Sequence, residues 1–142
     1  GVQYDLDKMP FIGSPYSATH YVFATRREAG LNNLEKLRSA TGVRIGAQSV
    51  GHTNYTIGRI FAALLGLKDS KYVTGYSIPE RDVALLRGEI DAIANIDPVM
   101  AKLEAEGAIQ LLAETRTTAG INKVFGGPLP AAVTVRRETR RL

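Results

Sequence analysis

The sequence predicts a single α/β domain over residues 1–142, with a mixed, mostly parallel sheet and helices on both faces. The chain has 142 residues, of which 44% are hydrophobic and 23% charged; this is enough for one core but not for two ordinary domains. Short apolar runs alternate along the chain with amphipathic segments of about a dozen residues. Such alternation is typical of crossover units, in which strands run parallel and helices cover the sheet.

Six segments have the short, apolar pattern of sheet strands and are bounded by turn-forming residues. They are residues 11–12, 21–24, 43–47, 72–74, 92–96 and 109–114. Helices are predicted between them from apolar spacing and end signals. They cover 33–40, 55–65 before Gly66, 77–88 after the capping box Ser77-Ile-Pro-Glu80, and 97–107 with Asp97 as the cap.

Three junctions lead from a predicted strand into a predicted helix, at residues 48–54, 75–77 and 95–97. If the strands are parallel, the three junctions meet at one edge of the sheet. Ligands of open α/β sheets bind beyond the carboxyl ends of the strands, where strand meets helix. We therefore expect the ligand site at this edge.

The first junction contains the stretch GAQSVGHT at residues 46–53, one residue away from the phosphate-loop pattern G-x-x-x-x-G-K-[ST]. The lysine of that pattern is replaced by His52, which is too short to reach the terminal phosphates. The same stretch has Ser49 in a nucleophile-elbow position, but Ala47 stands where the elbow needs glycine. A hydrolase or nucleotide-binding enzyme using this loop stays open as an alternative.

Anion binding by the backbone is a further interpretation of this loop, because amides at the start of a helix bind a carboxylate as well as a phosphate. Hydroxyls from Ser49 and Thr53 and the amide of Asn54 would add to them. A purely structural interpretation is also open: Thr53 or Asn54 caps the helix, and Gly51 permits the turn. At the second junction Ser77 has the same two interpretations, and Arg81, four residues further on, has the pattern of a solvated charge.

Composition excludes several other classes of function. The chain has no cysteine, and His20 and His52 lack a metal-binding spacing, so we expect no metal site, no cofactor and no thiol chemistry. No run is long enough for a membrane-spanning helix. The net charge of +4 depends on the arginine-rich end at 136–142, and without a basic stripe elsewhere we expect no nucleic-acid partner.

Two long stretches resemble a known family. The run VRIGAQSVGHTNYTIGRIFAALLGLK and the run YVTGYSIPERDVALLRGEIDA are similar to the second lobe of solute receptors of tripartite tricarboxylate transporters, the Bug-type periplasmic binding proteins. Loop and helix glycines, the strand end at 73–76 and the tetrad at 88–91 fall at the family's positions. The segments FIGSP and 33–37 extend the resemblance over most of residues 4–115.

The resemblance implies a class II periplasmic-binding-protein lobe that binds a small organic acid without catalysis, in the periplasm, and that works with the membrane subunits of a transporter. The ligand-binding residues carried over by position are Ser49, Val50, Gly51, His52, Thr53, Asn54, Gly75, Tyr76, Ser77 and Ile78, with Asn95 at the third junction. His52 stands where many relatives have serine, and Ser77-Ile78 where they often have paired glycines.

The family folds as two lobes, and the resemblance implies that this chain is mainly the second. In that case residues 120–142 would return toward the first lobe, which the chain does not contain. The apolar stretch at 128–135 has no obvious partner within the predicted fold, so a homodimer is a further expectation. The first ten residues also lack the order of a secretory signal.

Overall fold

The computed structural model describes residues 20–114 and 117–125, and in these the chain forms one five-stranded sheet. The strands are β1 (Tyr21–Arg26), β2 (Arg44–Gly46), β3 (Lys71–Val73), β4 (Ala92–Ile96) and β5 (Ile109–Glu114). The helices are α1 (Leu34–Ser39), α2 (Thr53–Leu65), α3 (Ile78–Leu86), α4 (Asp97–Ala105) and α5 (Thr118–Phe125), with a 3₁₀ helix at Arg27–Ala29.

The sheet has the strand order β3-β2-β4-β1-β5. Strand β2 pairs in parallel with both β3 and β4, whereas β1 pairs antiparallel with both β4 and β5. Every strand except β1 therefore runs in the same direction. This arrangement confirms the predicted mixed, mostly parallel sheet.

Helices cover both faces of the sheet, and each face has its own apolar cluster. Helices α1, α2 and α5 pack on one face, where the rings of Phe23 and Phe61 lie 5.7 Å apart between centroids. Helices α3 and α4 pack on the other face, around Leu85, Ile93 and Met100. Because side chains alternate along a strand, β1 supplies Phe23 to the first cluster and Val22 and Ala24 to the second. The predicted helices on both faces are confirmed.

An ion pair links the start of β2 to the turn before β4. Asp91 Oδ2 accepts hydrogen bonds from Arg44 N (3.0 Å) and Nε (2.9 Å), and Asp91 Oδ1 accepts from Arg44 Nη2 (2.6 Å). Nη2 also donates to Gly88 O at 2.9 Å. Burial by itself raises the pKa of Asp91, but the hydrogen bonds and charge of Arg44 outweigh it and hold this pKa below its usual value. The tetrad at 88–91 therefore ties the turn before β4 to the start of β2.

The element boundaries agree closely with the sequence predictions, with corrections at helix ends. Strands β4 and β5 have their predicted bounds, and α2 starts two residues earlier than predicted. The N-cap of α2 is His52, so the structural alternative in which Thr53 or Asn54 caps this helix is wrong. The N-cap of α4 is Ile96, so Asp97 is the first helical residue and not the cap.

Two elements were not predicted, namely the 3₁₀ helix and α5. Helix α5 packs on the sheet, with Val124 buried in the cluster beneath α2. The predicted strand at 11–12, the apolar stretch at 128–135 and the basic end at 136–142 lie outside the described residues.

Candidate functional site

The three strand-to-helix junctions meet at the carboxyl edge of the sheet, as the sequence predicted. Ala47 N donates to Val73 O at 2.9 Å, and Gly75 N donates to Gln48 O at 2.7 Å, so the first two junctions are hydrogen-bonded to each other. In the parallel ladder of β2 and β4, Gly46 lies opposite Ile93. Asn95, two residues further along β4, therefore lies next to the end of β2.

The loop before α2 turns sharply at its second glycine. Gly51 has a φ of +85°, which favours glycine, and His52 N donates to Ser49 O at 3.1 Å. The Nδ1 atom of His52 then accepts a hydrogen bond from Asn54 N at 3.3 Å. Because Nδ1 is an acceptor, the hydrogen of the neutral ring is on Nε2, which is left as a donor.

The N-terminus of α2 is open to an anion. Its first turn contains no acidic residue, and within residues 20–114 the backbone amides of Thr53 and Tyr55 have no protein acceptor. Ser49, Gly51 and Thr53 are exposed, and Val50 is 75% exposed. Asn54 is only 5% exposed, so its side chain lies in the interior and not on the surface of the loop.

A cleft of about 460 Å³ lies beside this loop, in the size range of small-molecule sites. It is lined by Val50, Gly51, Tyr55, Thr56, Arg59, Ile60 and Ala63. The Arg59 guanidinium carbon lies 5.8 Å from the centre of the Tyr55 ring, which in turn contacts Tyr72 edge-on. This places a cation on the same helix, one turn beyond the free amides, and the sequence analysis did not identify it.

The N-terminus of α3 differs because a carboxylate of the chain already occupies it. Glu80 Oε2 accepts from Ser77 N at 2.8 Å and from Ser77 Oγ at 2.6 Å. These two bonds, the side-chain one first, lower the pKa of Glu80. The predicted capping box is therefore present. The adjoining cleft of about 380 Å³ includes Gly75, Tyr76 and Glu80, while Ile78 is 40% exposed.

The third junction contains buried polar groups. Asn95 is 5% exposed, and its Oδ1 accepts from Ile96 N at 2.8 Å, whereas its buried Nδ2 has no partner among the described residues. Arg81 is fully buried, so its interpretation as a solvated charge is wrong. Arg81 Nη2 donates to Asp82 Oδ1 at 2.9 Å, and its buried Nη1 has no partner within residues 20–114 and 117–125. The spacing of Arg81 with Ala84 and Leu85 was the available signal, because it places all three on the buried face of α3.

Two specific arrangements among the described residues would support covalent or metal chemistry, a serine–histidine pair at Ser49 and a metal-binding cluster. Residues 20–114 contain no hydrogen bond between Ser49 Oγ and a histidine. Across the part of the chain that the structure describes, no group of three His, Cys, Asp or Glu side chains is placed to hold a metal ion. No helix in the same ranges is long and apolar enough to cross a membrane.

No protein-family profile and no curated protein matches the chain. Solved structures do match the chain. The periplasmic binding protein BugD is 14% identical, with a TM-score of 0.61, 78% of this chain covered and 38% of the other. The chain has the fold of one part of a periplasmic solute-binding protein. MatC from Rhodopseudomonas palustris with bound malate is 15% identical, with a TM-score of 0.61 and coverages of 78% and 39%.

A TctC solute-binding protein from Polaromonas, solved without ligand, is 20% identical, with a TM-score of 0.60 and coverages of 78% and 40%. These neighbours are Bug/TctC-type solute-binding proteins, the group that the sequence motifs resemble. BugD is a periplasmic binding protein, and the Polaromonas protein is a solute-binding protein. This chain spans less than half the length of each of them.

Proposed function

We propose that this chain binds a small organic anion with at least one carboxylate, as part of a solute receptor for membrane transport or sensing. The observation that carries the proposal is the open N-terminus of α2 at the carboxyl edge of the sheet. Free amides and the positive end of the helix dipole attract a carboxylate there. The acidic first turn of α3 makes that second helix start a poor anion site, because Glu80 already occupies it.

Because the N-terminus of α2 is free and that of α3 is occupied by Glu80, we place the anion site at the start of α2. The loop from Ser49 to Thr53 supplies hydroxyls and backbone amides, and His52 supplies its Nε2 hydrogen as a neutral donor. Arg59 adds positive charge beside the cleft. The segment from Gly75 to Ile78 supplies backbone and apolar contacts but no charge of its own. Asn95 and the interior amide of Asn54 complete the set that the family resemblance carries over.

We further propose that the chain is the second lobe of a two-lobe receptor. A single lobe offers only one wall of a closing site, so the complete site needs a second surface. The periplasmic location, the transporter's membrane subunits and a homodimer that supplies the second wall belong to this proposal. Sedimentation at micromolar concentration tests the dimer, and a strictly monomeric profile counts against it.

Thr53→Glu tests the anion site directly. Thr53 is exposed in the first turn of α2, so the substitution places a carboxylate at the helix start, as Glu80 does in α3. We expect the fold to be unchanged or stabilised by about 0.3 to 1 kcal/mol, since an acidic residue in the first turn complements the helix dipole.

The assay is thermal unfolding with acetate, succinate, malate and citrate at millimolar concentration, because a ligand of the folded state raises the melting temperature. The unsubstituted chain should be stabilised by at least one carboxylate, and Thr53→Glu should lose that stabilisation. Ala101→Glu is the matched control: it adds the same charge at an exposed position of α4, which packs on the other face of the sheet. A ligand-induced shift that persists in Thr53→Glu contradicts the proposed site.

A turnover assay distinguishes the receptor proposal from the enzyme alternative. A receptor binds its carboxylate without converting it or hydrolysing an ester or nucleotide. Hydrolysis that disappears on Ser49→Ala would overturn the receptor proposal.

A further inference from the structure

The cleft beside the loop before α2 has a largely apolar lining. It has a volume of about 460 Å³, and its lining includes Val50, Tyr55, Ile60 and Ala63. Val50 is 75% exposed and Ile60 is 46% exposed, so both are large apolar side chains in contact with water. Apolar side chains gathered in a cleft of this size indicate a binding surface, because a ligand that covers them removes apolar area from water.

Arg59 is the only charged residue in the lining of this cleft and the only one in α2. Its guanidinium carbon lies 5.8 Å from the centre of the Tyr55 ring, four residues nearer the start of the helix. Within residues 20–114 and 117–125, no carboxylate forms an ion pair with Arg59. The described residues therefore leave the charge of Arg59 available to an anion in the cleft.

The cleft beside α3 differs in charge, although it also contains an exposed apolar side chain. Its lining includes Val83, which is 42% exposed, and the charged residues Glu80, Arg87 and Glu89. A carboxylate in this cleft would lie beside two acidic residues, and placing like charges together is unfavourable. The cleft beside α2 is therefore the better fit for an anion that has an apolar body.

We propose that the cleft beside α2 binds the apolar body of the ligand, and that the ligand is a monocarboxylate with an apolar tail. The carboxylate contacts the Arg59 guanidinium, and the tail covers Ile60 and Ala63, which are exposed on the same helix. A second carboxylate on the tail would lie against these apolar side chains without a cation, which is unfavourable for a charge. This assignment rests on the proposed function, because it specifies which carboxylates the chain binds.

Hexanoate, adipate and hexan-1-ol are matched probes, since each has a chain of six carbon atoms. Hexanoate has one carboxylate, adipate has one at each end, and hexan-1-ol has none. Acetate supplies the carboxylate without a tail. Binding is measured by NMR chemical-shift titration of the 142-residue chain, a method that suits the weak affinity expected of a site with one wall.

Hexanoate should bind at least about tenfold more tightly than acetate. A fully buried methylene tightens binding about fourfold, and the cleft covers the additional methylenes of hexanoate on one side only. Hexanoate should also bind at least about threefold more tightly than adipate, whose second carboxylate has no cation, and than hexan-1-ol, which cannot pair with Arg59. The backbone amide signals of Arg59, Ile60 and Ala63 should shift during the hexanoate titration.

Ile60→Ser tests the apolar surface. It should reduce the preference for hexanoate over acetate by about two- to fourfold, since less of the tail is covered. A general loss of folded protein would lower the apparent affinity for both probes and leave their ratio unchanged. Leu86→Ser is the matched control, because Leu86 is 48% exposed on α3 and does not line this cleft.

Arg59→Met tests the charge, because methionine keeps an unbranched side chain without the guanidinium. Binding of acetate and of hexanoate should both weaken by about two- to fivefold, the usual effect of an exposed ion pair. Binding of hexan-1-ol should not weaken. Arg87→Met is the control, because Arg87 is an exposed arginine at the end of α3 and lies outside this cleft.

The outcomes separate this assignment from the proposed function. If no carboxylate binds the unsubstituted chain, both fail. If Thr53→Glu abolishes carboxylate binding but hexanoate binds no more tightly than acetate or adipate, the proposed function stands and the assignment of the cleft is wrong. If hexanoate binding persists in Thr53→Glu and weakens in Arg59→Met and Ile60→Ser, the cleft is supported and the anion site at the helix start is wrong. Hexan-1-ol that binds as tightly as hexanoate would overturn the assignment, because the carboxylate would then take no part.

Discussion

Replacing Asp91 with asparagine should weaken the fold through a single ion pair. The carboxylate of Asp91 accepts three hydrogen bonds from Arg44, two from its side chain and one from its backbone. Hydrogen bonds to charged groups contribute about 1.5 to 3 kcal/mol each. The Arg44 side chain is 40% exposed, so water screens the pair and the contributions do not add in full. Asparagine keeps one acceptor oxygen, and we expect a loss of about 2 kcal/mol.

The loss of stability caused by Asp91→Asn should become smaller as the pH falls. The pKa of Asp91 is held below its usual value by Arg44, against the opposing effect of burial. A carboxyl with a lowered pKa in the folded state stabilises the protein above its ordinary pKa of about 3.9, and this stabilisation is lost as pH falls through the folded value. The difference between the unsubstituted chain and Asp91→Asn should therefore be full at pH 7 and shrink below about pH 4.

Urea unfolding followed by circular dichroism measures the free energy of unfolding at each pH. Glu89→Gln is the matched control, since it removes one carboxylate from an exposed position in the same turn, and surface substitutions change stability by less than about 0.5 kcal/mol. The reasoning would be refuted by an Asp91→Asn variant as stable as Glu89→Gln at pH 7. A stability gap that stays constant from pH 7 to pH 3 would refute the electrostatic part.

Two further substitutions test the packing. Gly46→Ala introduces a Cβ that collides with Ile90 and presses on Arg81, and should cost about 1 to 3 kcal/mol in urea unfolding; a variant of unchanged stability would show that α3 is not packed against β2. Phe61→Ala removes a core ring that contacts Phe23 and should cost about 3 to 5 kcal/mol; a loss below about 1 kcal/mol would contradict the close packing of α2.

Local patterns in the sequence located most of the sheet. Short apolar runs determined β4 and β5 to the residue; four of the five residues of β4 and three of the six residues of β5 are buried. The reversed direction of β1 has no such local signal. Strand direction depends on which strands pair, and β1 pairs with β4 and β5 from the other end of the chain.

Helix ends were predicted less well where an unusual residue does the capping. Serine, threonine, asparagine and aspartate are the preferred N-caps, yet His52 caps α2 through a ring nitrogen. Helix α5 was missed because its interior glycine disfavours helix formation. The reason for Gly120 is tertiary: a Cβ there would lie 2.7 Å from Glu114 O and collide with the Glu114 side chain.

The sequence predicted that the three junctions share one edge of the sheet, but it did not predict the buried arginine beside them. The meeting of the three junctions at one edge followed from the prediction that their strands are parallel. Arg81 was given a solvated role because arginine is rarely buried. Only the packed structure shows that Gly46 leaves space for its stem and that one nitrogen has no partner.

The central position of β1 has a consequence for how the chain folds. The segment from β2 to β4 is a continuous run of strands and helices whose parallel pairs join neighbouring parts of the sequence. Strand β1 instead closes loops of about 70 residues or more when it pairs, at a high cost in chain entropy. We expect the β2-to-β4 unit to form first and β1 to enter the sheet late, between β4 and β5. The residues at the carboxyl edge would then be ordered before the sheet is complete.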